Sequence, residues 1–199
     1  MVMSRISFWL MAVLSIGVAI ASYRFVMVGL DVAFDIFPQH LELRRTMLFL
    51  HVALAPVALF LGVFQFMRGL RARFPAAHRW AGRIYAIAIL VSGLAGLALA
   101  AGAFTFKPIA GVGFGILALV WIATTAQAVR LARARHFAAH RIWMIRSFAL
   151  TFAAVTLRLQ LPFLIAGFDL DYDSASNIVA WSCWVPNLLF AEWFVRRQR

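Results

Sequence analysis

Two histidines stand at equivalent points of a repeated segment. Gln65–Arg79 and Gln127–Arg141 are offset by 62 positions and agree at nine of fifteen, including Gln65/Gln127, Arg68/Arg130, Arg71/Arg133, Arg73/Arg135, His78/His140 and Arg79/Arg141. A repeat at fixed period describes architecture before chemistry. Here it implies two helix–basic turn–helix units presenting the same groups at the same depth. Two imidazoles level with each other on different helices can ligate a haem iron from both faces. Arg79, Arg83, Arg141 and Arg146 would then meet the propionates or another anionic headgroup. The plain alternative is that each Ala-Ala-His-Arg opens an interfacial helix and binds lipid phosphate or unpaired backbone groups. No carboxylate or thiol accompanies the pair, so a metal site without haem is not indicated.

A second constellation joins Arg24, His51 and Arg158, three residues that fall inside or at the edge of apolar runs. Buried cations need an anion or strong acceptors. Asp31 and Asp35 are within reach as partners, side chains of this length can snorkel to the interface, and a bound anionic ligand is the remaining solution. A third pattern runs along one helix. His140, Ser147, Thr151 and Arg158 are spaced 7, 4 and 7 residues apart, which at 3.6 residues per turn is one face about 27 Å long. His78, Gly82, Tyr85 and Ser92 make a weaker version. If the two stripes face each other, the seam can hold a quinone headgroup, an ion or a proton path. If not, the hydroxyls are interhelical hydrogen bonds.

The elements that must position these residues are membrane spans. The chain has 199 residues, 64% of them hydrophobic and 13% charged, against about 25% charged in a soluble domain. Six apolar runs, about 7–29, 46–67, 83–104, 109–130, 142–166 and 176–196, reach the ~20 residues needed to cross a bilayer. The expected fold is therefore an all-α polytopic bundle of six transmembrane helices forming a single integral membrane domain over residues 1–199. Its core would be a parallel tandem repeat of two hairpins, about 46–104 and 109–166, flanked by helices 7–29 and 176–196.

Charge placement orients this bundle. Fourteen of the 19 basic residues lie at the amino end, the 2–3 and 4–5 turns and the tail, and six of the seven acids lie on the other side. That asymmetry predicts both termini in the cytoplasm, and the lone Lys107 against 18 arginines hints at a GC-rich bacterial genome, hence an inner membrane. Anionic phospholipids at the cytoplasmic face are the expected partner of the arginines, so the net charge of +12 does not require nucleic acid. Cys183 is alone, so no disulfide framework or thiolate cluster is expected. Arg5 and the Ala19-Ile-Ala21 run imitate a secretory leader, but apolar character continues to Leu30, which suits a span.

Local signals refine the picture. Pro56 predicts a kink near residues 52–56. Ser92/Gly96 and Gly96/Ala100 are small-residue pairs that admit a close neighbour, and Ala110–Gly115 has the same character. Asp169, Asp171 and Asp173 lack the glycine and terminal glutamate of a calcium loop. Glu192, the one acid on the basic half, is expected to pair with an arginine. Motifs of P-loop nucleotide hydrolases, zincins, serine hydrolases and c-type cytochromes are absent, so no catalytic residue is assigned and enzyme status stays open.

The elements His51-x4-Pro56, His78-Arg-Trp-Ala-Gly-Arg-Ile-Tyr85 and His140-Arg-Ile-Trp-Met-Ile-Arg-Ser-Phe-Ala-Leu150 resemble a bacterial family of predicted membrane proteins, domain of unknown function 2306, over roughly residues 45–165. That resemblance implies a multi-span inner-membrane protein and supplies no activity. The chain is also similar in outline to six-helix haem b proteins of the cytochrome b561 type. It departs from them in lacking two histidine pairs on four helices, and the fourth span has no histidine. The functional expectation is a haem- or quinone-interacting redox membrane protein, with the cofactor left open and haem b the candidate. The alternatives are a small-anion or lipid carrier or sensor, and an assembly subunit.

Overall fold

The computed structural model describes residues 5–34 and 38–197, all of whose regular elements are helices. Among them, six helical stretches are long and apolar enough to cross a membrane: Arg5–Val28, His40–Gln65, Pro75–Ala103, Pro108–Arg133, Phe137–Phe168 and Tyr172–Arg196. These are spans 1 to 6. Large apolar side chains such as Leu10, Val13, Leu94, Leu119, Phe163 and Leu189 point outward, each more than half exposed. An outward apolar surface of this extent is stable against lipid and not against water.

Spans 2, 3, 4 and 5 form a ring in which each packs on the next and span 5 returns to span 2; span 1 lies on spans 2 and 5, and span 6 on spans 4 and 5. The core is Tyr85, Ala88, Ile89, Trp121, Met144, Phe148 and Leu150 with their apolar neighbours. Close approach depends on small residues: a Cβ at Gly113 would lie 2.8 Å from the Ala180 carbonyl oxygen, so spans 4 and 6 touch backbone to backbone.

Several spans are interrupted, each for a local reason. Span 6 breaks at Cys183–Trp184, just before Pro186 in the first turn of Val185–Arg196, because proline supplies no N–H to the helix behind it. Span 5 is Phe137–Thr151 followed by Ala153–Phe168. There the Thr151 hydroxyl donates to the Ser147 carbonyl at 2.9 Å, a back-bond that bends helices. The sequence predicts a kink at Pro56. The helix runs through Pro56, and the non-helical residue is Arg44 (φ −138°, ψ 26°).

The repeated segments differ locally. In the first, the helix ends at Gln65 and a separate short helix, Arg68–Arg73, carries Gly69; in the second, with Leu131 at the matching place, span 4 continues unbroken to Arg133. The break falls at Phe66–Met67, where Met67 is extended (φ −77°, ψ 103°), and Gly69 lies within the short helix that follows.

Candidate functional site

Three polar layers cross the bundle. The middle one is a hydroxyl cluster on spans 3, 4 and 5. The Tyr85 hydroxyl lies 2.8 Å from Ser147 Oγ and 3.0 Å from Thr151 Oγ1. Trp121 Nε1 donates to Thr151 Oγ1 at 2.9 Å, and Thr125 Oγ1 lies 2.7 Å from Ser147 Oγ. All five side chains are buried. Thr125 also reaches the Trp121 carbonyl at 2.8 Å, so every hydroxyl has a partner. A satisfied network in low dielectric is strong glue. Span 2 closes this layer: a Cβ at Gly62 would sit 2.5 Å from the Phe148 ring and 3.0 Å from Tyr85. Ser147 and Thr151 of the predicted stripe are thus placed, and Tyr85 is their hub. Trp121 and Thr125 were not anticipated; Thr124-Thr125 in an apolar run was the available signal.

The layer at the basic turns holds His78 and His140. His140 Nδ1 lies 2.8 Å from the Ala128 carbonyl oxygen. A carbonyl only accepts, so Nδ1 carries the proton and Nε2 is the free nitrogen of the neutral ring. His78 lies close enough to interact electrostatically with His140 and with Arg71 and Arg79. Its Nδ1 is buried with no hydrogen-bond partner among the described residues, as is Gln65 Nε2. The Gln65 amide lies over Gly82, 3.1 Å from where a Cβ would stand. Histidines that ligate a metal almost always donate their other ring N–H to an acceptor. His140 has that arrangement, and among the described residues His78 does not.

The arginines of this rim are mostly engaged or open to the exterior. Arg146 is ion-paired to Glu192 through Nε and Nη2 and lies over the Trp143 ring at 4.5 Å, so Glu192 pairs as expected and holds Arg146 away from any propionate. Arg83 covers Trp80 at 4.6 Å, and Arg79 and Arg141 are exposed.

The third layer is near the opposite rim. His51 on span 2 donates from Nδ1 to the Ser92 carbonyl at 2.9 Å, with Ser92 Oγ at 3.3 Å. Gly96 makes room for this ring, since a Cβ there would lie 3.1 Å from Nδ1. The small residues on span 3 therefore admit an imidazole as well as a backbone. Arg158 lies within electrostatic range of His51 and of Arg24, and Arg24 itself is exposed and lies over the Phe25 ring at 4.8 Å. Arg158 Nη1 donates to the Ala154 carbonyl at 3.0 Å. Ala154 is one turn back along the same span, so this nitrogen of the guanidinium is directed toward the middle of that span.

No carboxylate answers this charge among the described residues. Asp31 is bound to Arg45 through both oxygens, at 2.6 and 2.5 Å, and that hydrogen-bonded guanidinium holds the Asp31 carboxyl below the usual carboxylate range. Asp35 lies outside the described residues. Two acids of the 5–6 loop are also assigned. Asp171 caps span 6 by accepting from Ser174 N at 2.9 Å, with Ser174 Oγ at 2.6 Å, and Asp173 pairs with Lys107.

Two further polar contacts bind span 6 to span 5. Asn187 Nδ2 donates to Thr156 Oγ1 at 3.0 Å and to the Cys183 carbonyl at 2.9 Å. Ser182 Oγ donates to Gln160 Oε1 at 2.9 Å. Among the described residues no three His, Cys, Asp or Glu side chains gather as a metal site.

Comparison with known proteins agrees with this architecture and is silent on activity. A family profile described as predicted membrane protein (DUF2306) matches residues 48–195, from within span 2 to the last turn of span 6. It takes in His51, His78, His140 and Arg158 and leaves out Arg24. No curated protein and no solved structure matches. The chain belongs to the DUF2306 family of predicted membrane proteins.

Proposed function

We propose that this membrane protein binds an oxyanion, either a small solute or the headgroup of a lipid, between Arg158, His51 and Arg24, as a carrier or sensor. The observation that carries the reading is Arg158. It is a partly buried guanidinium on a membrane span that donates to one backbone carbonyl. Removing a cation from water costs several kcal/mol unless an anion and hydrogen bonds compensate. A guanidinium has five donors in a planar fork suited to carboxylate or phosphate, so an oxyanion answers both needs. Arg24 adds charge from span 1. His51, fixed by Ser92, offers Nε2 as an acceptor when neutral and a donor when protonated, which suits an anion that also bears a hydroxyl.

The repeat supports a setting for this site. Tyr85 and Ser147 are 62 residues apart and hydrogen-bonded to each other, and His78 and His140 share that offset and interact. In a two-fold arrangement a residue meets its own counterpart only at the axis. We therefore read spans 2–3 and 4–5 as parallel hairpins about a local two-fold along the membrane normal. The arginine-rich 2–3 and 4–5 turns favour a bacterial inner membrane with both termini cytoplasmic and anionic phospholipid at that face.

Thermal unfolding of the detergent-solubilised protein tests the anion site. The panel is inorganic phosphate, short mono- and dicarboxylates, and a phosphatidylglycerol–detergent micelle. At least one is expected to raise the unfolding temperature saturably, by about 2.7 kcal/mol of stabilisation at a hundred times its Kd. Phosphate or carboxylate alone would identify a solute and the micelle alone a lipid. Arg158→Leu should abolish the response; an equal response in that variant, or none in the wild type, would overturn the reading.

A further inference from the structure

A groove of about 430 Å³ opens between spans 3 and 4. Its walls include Ala86 and Leu90 on span 3 and Ile122, Ala126 and Val129 on span 4, and Arg130 and Arg133 stand at one end. The offset of 62 explains why space is left here. Ala86 matches Phe148 and Ala126 matches Phe64. Phe148 is 4% exposed, lies against Phe66 at 5.2 Å and fills the space over Gly62; Phe64 pairs with Phe60 at 5.1 Å. A phenyl ring thus fills the seam of span 5 against span 2, whereas Ala86 holds the matching position between spans 3 and 4.

The chemistry of the groove selects its occupant. Between its ends the wall is aliphatic except for Thr125, whose hydroxyl is taken up by the Trp121 carbonyl and Ser147, and the lining residues Ile87 and Leu90 are 61% and 48% exposed, so it opens toward the surroundings of the bundle. Arg130 and Arg133 are exposed and neither is ion-paired among the described residues. They lie in the last turn of span 4, at the rim where lipid headgroups stand. An apolar slot ending in two open guanidinium groups matches an acyl chain ending in a phosphate.

We propose that this groove binds an anionic phospholipid, with one acyl chain between spans 3 and 4 and its phosphate on Arg130 and Arg133. The site is separate from Arg158, which lies toward the opposite rim. Lipid retained through detergent purification, counted by native mass spectrometry after loading with equal phosphatidylglycerol and phosphatidylcholine, reads it directly. The wild type should keep one phosphatidylglycerol per chain, in preference to phosphatidylcholine by of the order of tenfold for two arginines at the surface. Ala126→Phe, which restores the filler found at position 64, should lose the retained lipid. The Arg130→Gln/Arg133→Gln pair is exposed and leaves the core intact; it should lose the preference while the groove remains. Equal retention of the two lipids by the wild type, or phosphatidylglycerol held as well by a folded Ala126→Phe variant or by the arginine pair variant, would overturn the proposal.

Discussion

The hydroxyl cluster around Tyr85 and the cation cluster around Arg158 both place polar groups inside an apolar bundle, and they resolve the cost in opposite ways. At Tyr85 the donors and acceptors of spans 3, 4 and 5 answer one another. At Arg158 the charge has one carbonyl as acceptor, with an imidazole and a second cation in electrostatic range, and the Asp31 carboxylate is held by Arg45. A closed network leaves nothing for a ligand to satisfy, so it holds helices together. An open one is held in readiness for a partner from outside the chain. Polarity within a span therefore does not by itself mark a site; an unanswered charge does.

This contrast can be broken most sharply at the cation. Arg158→Leu should remove all anion-dependent stabilisation while the ligand-free protein unfolds at the same or a higher temperature, since an unpaired buried charge is lost; a large drop in ligand-free stability would mean the guanidinium is structural. Next in size, Gly62→Ala should cost about 1–3 kcal/mol in denaturant unfolding, because the added methyl meets the Phe148 ring and a packed core resists overfilling. Anion binding should survive it. Tyr85→Phe should cost about 0.5–1.5 kcal/mol, again without effect on anion binding, because Ser147 and Thr151 keep Thr125 and Trp121 as partners.

The smallest effect is at Asp31. Its carboxyl titrates below the ordinary value, so its link to Arg45 is complete above that value and is lost as pH falls through the lowered one. Carboxyl chemical shifts should report a depressed midpoint for Asp31 that returns to normal in Arg45→Gln.

Much of this was legible in the sequence. Six apolar runs fix six spans because hydrocarbon thickness sets their length, and Arg24, His51 and Arg158 stand out because charge in such runs is rare. Their convergence was readable only as a shared depth. Which partners they take depends on helix rotation, which a period does not give: Asp31 goes to Arg45, fourteen residues on, and not to the deeper arginines. Gly96 reads as a packing residue until the ring of His51, on another helix, is seen against it. Likewise the nine identities of the repeat do not reveal that one copy breaks at Phe66–Met67 and that, of the two repeat histidines, His140 alone has an acceptor for Nδ1.

The most direct measurement is nuclear magnetic resonance of the arginine side chains. In protein labelled with ¹⁵N-arginine, the Arg158 guanidinium signals can be assigned by their loss in Arg158→Lys and followed as inorganic phosphate, a dicarboxylate and phosphatidylglycerol are titrated in. A saturable shift of those signals with one of the three, while Arg83 and Arg146 over their tryptophans stay fixed, is the expected result. Arg158 signals that do not move with any of them, or that move only in step with every exposed arginine, would contradict a built anion site.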